Sequence, residues 1–376
     1  MILKKIYVKN FRNIKETELE FNLGANVFFG DNAQGKTNML EAVSTALGSS
    51  FKNARKSSFI PFFNENGGEK TLINLYYESE AFPDKINEIL FESDGERNSV
   101  KINSIPLRKA ADLYGEFRYV VFVPDHLNLI KGYPDNRRYY LDNIAVMQNK
   151  AHKKIQYEYK EALKQRCAAC SSRYYFGDTL LVWDDILIKQ GINLTYGRLK
   201  YLGLLKKYAV SLHEELSNGE KLEISYKSDV FGEGGADFSD KENMYGVYKK
   251  ALGSAENDGF AKNTPGAHKD DVVFSLNGNS ARNFGSQGQL RSVAVSLKLA
   301  EAELIRDFNR EKPVVLLDEV LGELDKNRRE YVIKRFAGDK PSGNSQVFIT
   351  SCNINDFSNV GELKVWKVED GRFEPQ

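Results

Sequence analysis

The most constraining feature of the sequence is the octet Gly30-Asp31-Asn32-Ala33-Gln34-Gly35-Lys36-Thr37, set between a short β-rich run at 26–29 and a helical pattern. It fits G-x-x-x-x-G-K-[ST]: backbone N–H groups cradle phosphates, the lysine reaches the β- and γ-phosphates, and the threonine hydroxyl binds Mg²⁺. Leu40, Val43 and Leu47 recur at spacings of three and four, giving the following helix one apolar face. Strand, loop and helix therefore agree, and the helix N-terminus independently favours an anion.

The complement of such a loop lies far away. Val314-Val315-Leu316-Leu317 followed by Asp318-Glu319 reads as a buried parallel strand ending at a metal site. Asp318 is the candidate to hold Mg²⁺ with Thr37, and Glu319 to orient or deprotonate the attacking water. Lys36 and Asp318 are 282 residues apart, so one nucleotide site is split across nearly the whole chain. A small P-loop kinase or GTPase is not usually split this widely.

Between the halves stands Phe284-Gly285-Ser286-Gln287-Gly288-Gln289, directly before a helix with Val293, Leu297, Ala300 and Leu304 on one face. Ser286 suits the N-cap. The turn offers a hydroxyl, free N–H groups and a positive dipole end, which suit a γ-phosphate; taken alone it reads equally well as an ordinary cap.

Together these three elements resemble the ABC-type ATPases, and within them the heads of the chromosome-maintenance and recombination branch. Asn10-Phe11-Arg12-Asn13, Gly35-Lys36-Thr37-Asn38-Met39-Leu40-Glu41-Ala42, Lys131-Gly132 with Pro134 and Arg137-Arg138, Trp183-Asp184, Gly266 with His268-Lys269-Asp270-Asp271, and Ser286-Gln287-Gly288-Gln289 recur in order as in the RecF family, over about residues 3–351. The resemblance implies a slowly hydrolysing, ATP-dependent homodimer that binds DNA at gaps or single-/double-strand junctions, acts with RecR and RecO, and helps to place RecA. It implies that each ATP is held between the phosphate loop of one subunit and the Ser286 turn of the other. Gln287, Gly288, Gln289 and Asp325 would line that contact, and Thr350 occupies the switch position. Two departures stand out: Gly266-Ala267-His268-Lys269 where Gly-Pro-His-Arg is usual, and Asp318-Glu319 where Asp-Asp is frequent. Lys269 lacks the guanidinium fork for a bidentate contact.

The fold expected is α/β: a P-loop ATPase head of two lobes and mixed sheet with an inserted helical domain. Residues 1–135 would form one lobe, with antiparallel strands at 71–77, 88–91 and 98–102 separated by turns at Asn66-Gly67-Gly68 and Asp94-Gly95. Residues 136–217 read as the helical insertion, with breaks near Gly177 and Gly191. Residues 218–376 complete the head. Arg12 and Asn13 are candidates to approach the adenosine, Arg137 and Arg138 to serve structure or to communicate with nucleotide, and His268 is a core histidine or a site residue.

At 376 residues, length allows two or three domains, or one domain with an insertion. With 53 Lys+Arg against 52 Asp+Glu, a polyanion partner needs a local basic surface. Residues 150–166 carry six Lys/Arg against two Glu, and 186–213 carry five with no acid. Tyr157, Tyr159, Tyr196 and Tyr201 lie among them, a composition compatible with DNA or with a solvated helix face. The N-terminal residues lack a secretory pattern, no stretch suits a membrane span, and three cysteines fit a reducing compartment, so a cytoplasmic, nucleoid-associated protein is expected. Cys167 and Cys170 have the spacing of half a zinc site without a second pair, and are read as incidental.

A transporter's nucleotide-binding subunit, or another ABC-type ATPase not acting on DNA, is the alternative; Thr350 and the helical insertion weigh against it. A P-loop phosphotransferase has no use for the Ser286 turn.

Overall fold

The computed structural model describes residues 1–48, 70–79, 82–171, 177–217, 219–233, 238–257, 264–337, 345–357 and 363–376. The turn expected at Asn66-Gly67-Gly68 lies outside them. By its contacts the chain forms two compact units, Met1–Leu127 with Glu301–Gln376, and Asn128–Ala300.

The first unit holds two six-stranded sheets. One is antiparallel, ordered Ile14–Glu20, Ile2–Phe11, Thr71–Ser79, Phe82–Ser93, Asn98–Ile102, Ile105–Pro106. Its strands alternate in burial, as Thr71–Ser79 shows, which is the pattern of a sheet with one packed face.

The other sheet is ordered Arg372–Pro375, Leu363–Glu369, Ala25–Phe29, Val347–Ser351, Val314–Asp318, Tyr119–Phe122. All its pairings are parallel except the terminal hairpin. Val314–Asp318 and Val347–Ser351 are buried at every residue, as apolar runs in a covered parallel sheet must be. Trp366 stacks on Phe28 with ring centroids 5.1 Å apart, and Phe21 meets Phe348 edge-on at 4.7 Å. Asp370 and Gly371 turn this hairpin with φ of 45° and 72°, the left-handed pair that an Asp-Gly two-residue turn supplies.

The second unit is built on long helices and a small antiparallel sheet, Gly232–Glu233, Leu222–Ser228, Asp271–Leu276, Asn279–Ser280. Pro134–Gln148 begins with its proline at the first helical position. Ala151–Ser171 and Gly177–Leu216 run antiparallel, with Arg166 meeting Asp184 and Glu158 meeting Gln190. The break expected near Gly177 is the start of the second helix. The break expected at Gly191 is absent, and the helix runs straight through it. A Cβ at Gly191 would lie 2.7 Å from the Tyr248 ring, so this glycine serves close packing rather than a turn.

Arg198 donates to both oxygens of Asp142 at 2.8 Å and to the Ala267 carbonyl at 2.6 Å. Asp270, fully buried, accepts from Tyr226 at 2.5 Å, from Thr195 and Ser228 at 3.2 Å, and from the Asp229 N–H at 2.8 Å. Each buried charge thus has its partners, as burial requires.

Candidate nucleotide site

Ala25–Phe29 leads into the octet, and the helix Lys36–Ala46 leads out of it. Gly30, Ala33 and Gly35 take φ of 155°, 65° and 113°, so the loop curls through backbone states open chiefly to glycine. The helix has Gly35 as its N-cap, no side-chain cap and no acid in its first turn. Its leading N–H groups are thereby kept for an anion.

Around this loop the ends of the parallel strands bring together residues from both ends of the sequence. Lys36 is buried, its Nζ donating to the carbonyls of Gly30 at 2.7 Å and Asp31 at 2.9 Å, and pairing with Glu319 Oε1 at 3.0 Å. Thr37 Oγ1 and Thr350 Oγ1 each donate to Asp318 Oδ1 at 2.8 Å. The Glu319 N–H donates to Thr350 Oγ1 at 2.8 Å. Glu319 itself has φ of 52°, a conformation costly for a residue with a Cβ, held by its N–H on one side and its carboxylate on the other.

Lys36, Thr37, Asp318 and Glu319 therefore converge as their motifs predicted, and Thr350 joins them from the switch position that the family resemblance implied. A hydroxyl and a carboxylate oxygen side by side are hard oxygen donors of the kind Mg²⁺ takes, so Thr37 and Asp318 fit that ion. Asp31, Asn32 and Ala33 are exposed at the rim of the loop.

Arg12 and Asn13 also lie against the loop. Asn13 Nδ2 donates to the Gln34 carbonyl at 3.1 Å, and Asn38 donates to Asn13 Oδ1 at 2.7 Å. The Arg12 guanidinium is tied to Glu41, nearly fully buried, at 2.5 Å. Asp325 is exposed and N-caps the helix Lys326–Ala337 through the Arg328 N–H at 3.1 Å; that bond and the Arg328 side chain hold its carboxyl below the usual range.

Two neighbours of the site were not anticipated. Cys352 Sγ accepts from Lys36 Nζ at 3.3 Å and donates to Asn32 Oδ1 at 3.1 Å. Its signal was its place just past the strand Val347–Ser351, because carboxyl ends of neighbouring parallel strands converge. Glu41 was read only as part of a motif, and its pairing with Arg12 had no local signal.

The Ser286 turn belongs to the second unit and is a capping box. Ser286 Oγ accepts from the Gln289 N–H at 3.2 Å, and Gln289 Oε1 accepts from the Ser286 N–H at 2.8 Å. Ser286 and Gln287 are exposed, as is Phe284 at 77%, while Gly288 is half-buried and Gln289 also donates to Glu220.

In the same unit His268 Nδ1 lies 2.7 Å from the Tyr159 hydroxyl, half-buried among aromatic rings. Burial, reinforced by Lys269 and Arg138, pushes its pKa down to about 4. Arg137 is a structural residue, bidentate to Asp271 and donating to the carbonyls of Leu129, Ile130 and Gly132. Arg138 donates to the Asp270 carbonyl.

Among the aromatic residues of the basic stretches, Tyr157 and Tyr196 are exposed, but Tyr159 and Tyr201 are buried. Arg166 and Arg198 are buried too, paired with Asp184 and Asp142. Their helix positions face the core, so local charge overcounted the surface cations; Lys150, Lys154, Lys160, Lys164, Lys189, Lys200, Lys206 and Lys207 are the exposed ones. Among the described residues no helix is long and apolar enough to cross a membrane, and no three His, Cys, Asp or Glu side chains cluster as a metal site.

Comparison with known proteins agrees with this geometry. Residues 2–373 match the family model described as the RecF/RecN/SMC N terminal domain. The chain is 32% identical over 380 residues to the DNA replication and repair protein RecF of Clostridium acetobutylicum, covering 99% of each. It is 36% identical over 378 residues to that of Streptococcus pneumoniae (strain P1031), covering 99% of this chain and 98% of the relative. A solved structure of the recombination mediator protein RecF-ATPrS in the RecFOR pathway superposes with a TM-score of 0.86 at 31% identity, covering 99% of this chain and 97% of the other. An Smc head bound to the C-winged helix domain of ScpA, 15% identical with a TM-score of 0.56 over 100% of this chain and 97% of its own, shares the fold. The chain belongs to the RecF family, with the mixed α/β ATPase-head fold of the RecF/RecN/SMC group.

Proposed function

We propose that this protein is an ATP-dependent DNA-binding protein of recombinational gap repair, which pairs with a second copy on binding ATP and separates on slow hydrolysis. The convergence of Lys36, Thr37, Asp318, Glu319 and Thr350 carries this reading. In it, Lys36 exchanges its bonds to the Gly30 and Asp31 carbonyls and to Glu319 for the β- and γ-phosphates of ATP. That exchange frees Glu319 to orient and deprotonate the attacking water. Thr350 fixes the carboxylate of Asp318 and the backbone of Glu319, and so acts by positioning. Thr37 and Asp318 would hold Mg²⁺, which neutralises phosphate charge when bound.

The Ser286 turn of a second copy completes the site, with Gln287, Gly288, Gln289 and Asp325 at the contact and Arg12 and Asn13 towards the adenosine. Residues 136–217 are read as the inserted helical domain between head segments 1–135 and 218–376. DNA gaps or junctions, RecR and RecO are the partners inferred, RecA loading in the response to DNA damage is the outcome served, and the cytoplasm and nucleoid are the setting. The family membership and the matched RecF-ATP structures support the nucleotide and repair parts of this reading.

Sedimentation velocity with labelled gapped duplex tests it. The expected result is a dimer on DNA only with ATP and Mg²⁺; a monomer off DNA in every condition, with RecR also present, refutes it. Lys36→Ala should abolish pairing. Glu319→Gln should retain pairing and lower hydrolysis by about a hundredfold or more, the scale of a lost general base.

A further inference from the structure

The phosphate loop is gripped from outside by the hairpin Leu363–Glu369 and Arg372–Pro375. The Gly371 N–H donates to the Gln34 carbonyl at 2.8 Å, and the Asp370 N–H donates to Gln34 Oε1 at 2.8 Å. A Cβ at Gly30 would lie 2.3 Å from the Val368 carbonyl oxygen, and one at Gly371 would lie 2.3 Å from that of Asn13. The turn is therefore pressed against both the loop and the Arg12-Asn13 corner, with no room for a side chain on either glycine. Gln34 sits between Ala33 and Gly35, both in left-handed states, and its carbonyl also accepts from Asn13. A loop this unfavourable for a free chain needs outside support to keep its N–H groups aimed at the position a phosphate takes.

We propose that the Asp370–Gly371 turn is a positioning element for nucleotide binding, holding the phosphate loop in its phosphate-accepting shape before ATP arrives through the two hydrogen bonds to Gln34. This rests on the ATP reading above. The support acts on binding and not on the reacting atoms, since neither residue approaches Glu319 or Asp318 through any bond described. Loosening the turn raises the ATP concentration needed and leaves turnover at saturation unchanged. Gly371→Ala displaces the turn. Gln34→Met keeps side-chain length and removes the acceptor for Asp370. Asp370→Asn keeps a residue that tolerates positive φ and leaves the backbone donor in place.

Two readouts test this on the full chain. In the nucleotide-free protein, hydrogen exchange of the amides of residues 31–35 should quicken in Gly371→Ala and Gln34→Met and stay at the parent rate in Asp370→Asn. In steady-state hydrolysis, KM for ATP should rise by up to roughly tenfold in the first two, the upper scale of one lost intramolecular hydrogen bond, with kcat unchanged. Parent exchange rates in folded Gly371→Ala and Gln34→Met overturn the proposal, as does a fall in kcat with unchanged KM. If Gly371→Ala fails to fold, Gln34→Met decides. Failure of the parent to bind ATP overturns the nucleotide reading, and with it a role for the turn in binding; the exchange rates distinguish that outcome from an unsupported loop.

Discussion

The hydroxyl of Thr350 is bonded on both sides, giving its proton to Asp318 and receiving the Glu319 N–H. Thr350→Val keeps the shape and removes both bonds, leaving the Glu319 N–H without its acceptor and the buried Asp318 carboxylate with one donor fewer, Thr37 remaining. Turnover should fall by about tenfold or more while the ATP dissociation constant stays within about twofold, as single-turnover and equilibrium binding measurements would show. A second prediction concerns acid. His268 is held neutral in the fold, with its pKa near 4 against 6.5 for a free side chain. The unfolded chain therefore takes the proton first, so stability is fully present above about 6.5 and declines as pH falls towards 4. Burial pushes the Asp142 carboxyl up, but the charge and hydrogen bonds of Arg198 and the bond from His152 outweigh it and bring it to about 2, so a further loss follows between 3.8 and 2. Urea midpoints between pH 7.5 and 4 should show the first limb, and His268→Gln should flatten it. At this scale the loop, Asp318 and Glu319 were legible because phosphate chemistry demands fixed residue types at fixed places, while Thr350 was reached only through the family resemblance. Cys352 and the Arg12–Glu41 pair were not, because only the folded backbone brings them to the loop.

Elements were read well where burial leaves a periodic trace, and less well where a single residue has two uses. The strand at 98–102 has the bounds the alternation predicted, and Val314–Asp318 exceeds its apolar run by one residue, the aspartate. Gly191 misled because a helix glycine that admits a ring and a glycine that ends a helix look alike in a single sequence. Gly191→Ala should cost about 1–3 kcal/mol by overpacking against Tyr248, despite alanine's higher helix propensity, and thermal unfolding would measure it. The Ser286 cap was anticipated, whereas its reciprocal bond from Gln289 completes a Ser-x-x-Gln box that the sequence also spells. Ser286→Ala should cost about 1 kcal/mol through the lost cap. Ser286→Arg should further block ATP-driven pairing while each copy still binds ATP, which sedimentation and nucleotide titration together would separate.

For the molecule as a whole, a net charge of +1 conceals where cations stand. The exposed lysines Lys200, Lys206 and Lys207 share one helix with the buried Arg198. If they meet phosphate, replacing all three by alanine should weaken DNA binding and flatten the salt dependence by about 0.9 for each phosphate no longer neutralised. Fluorescence titrations from 50 to 200 mM salt would read that slope. A charge-preserving Lys→Arg triple should leave it unchanged.

The central sheet carries a further consequence, one of timing. The strand that feeds the phosphate loop is flanked by Val347–Ser351 and Leu363–Glu369, both more than 300 residues downstream. At about 5–20 residues per second, a ribosome takes roughly 15–65 s to deliver them after Ala25–Phe29. Throughout that interval an apolar strand has neither of its hydrogen-bonded neighbours, and the loop lacks the hairpin that grips it. The nucleotide site is thus completed by segments made more than 300 residues after its loop, so a translating chain passes through a long, sticky adolescence in which it can be caught by holding chaperones but cannot yet grip nucleotide.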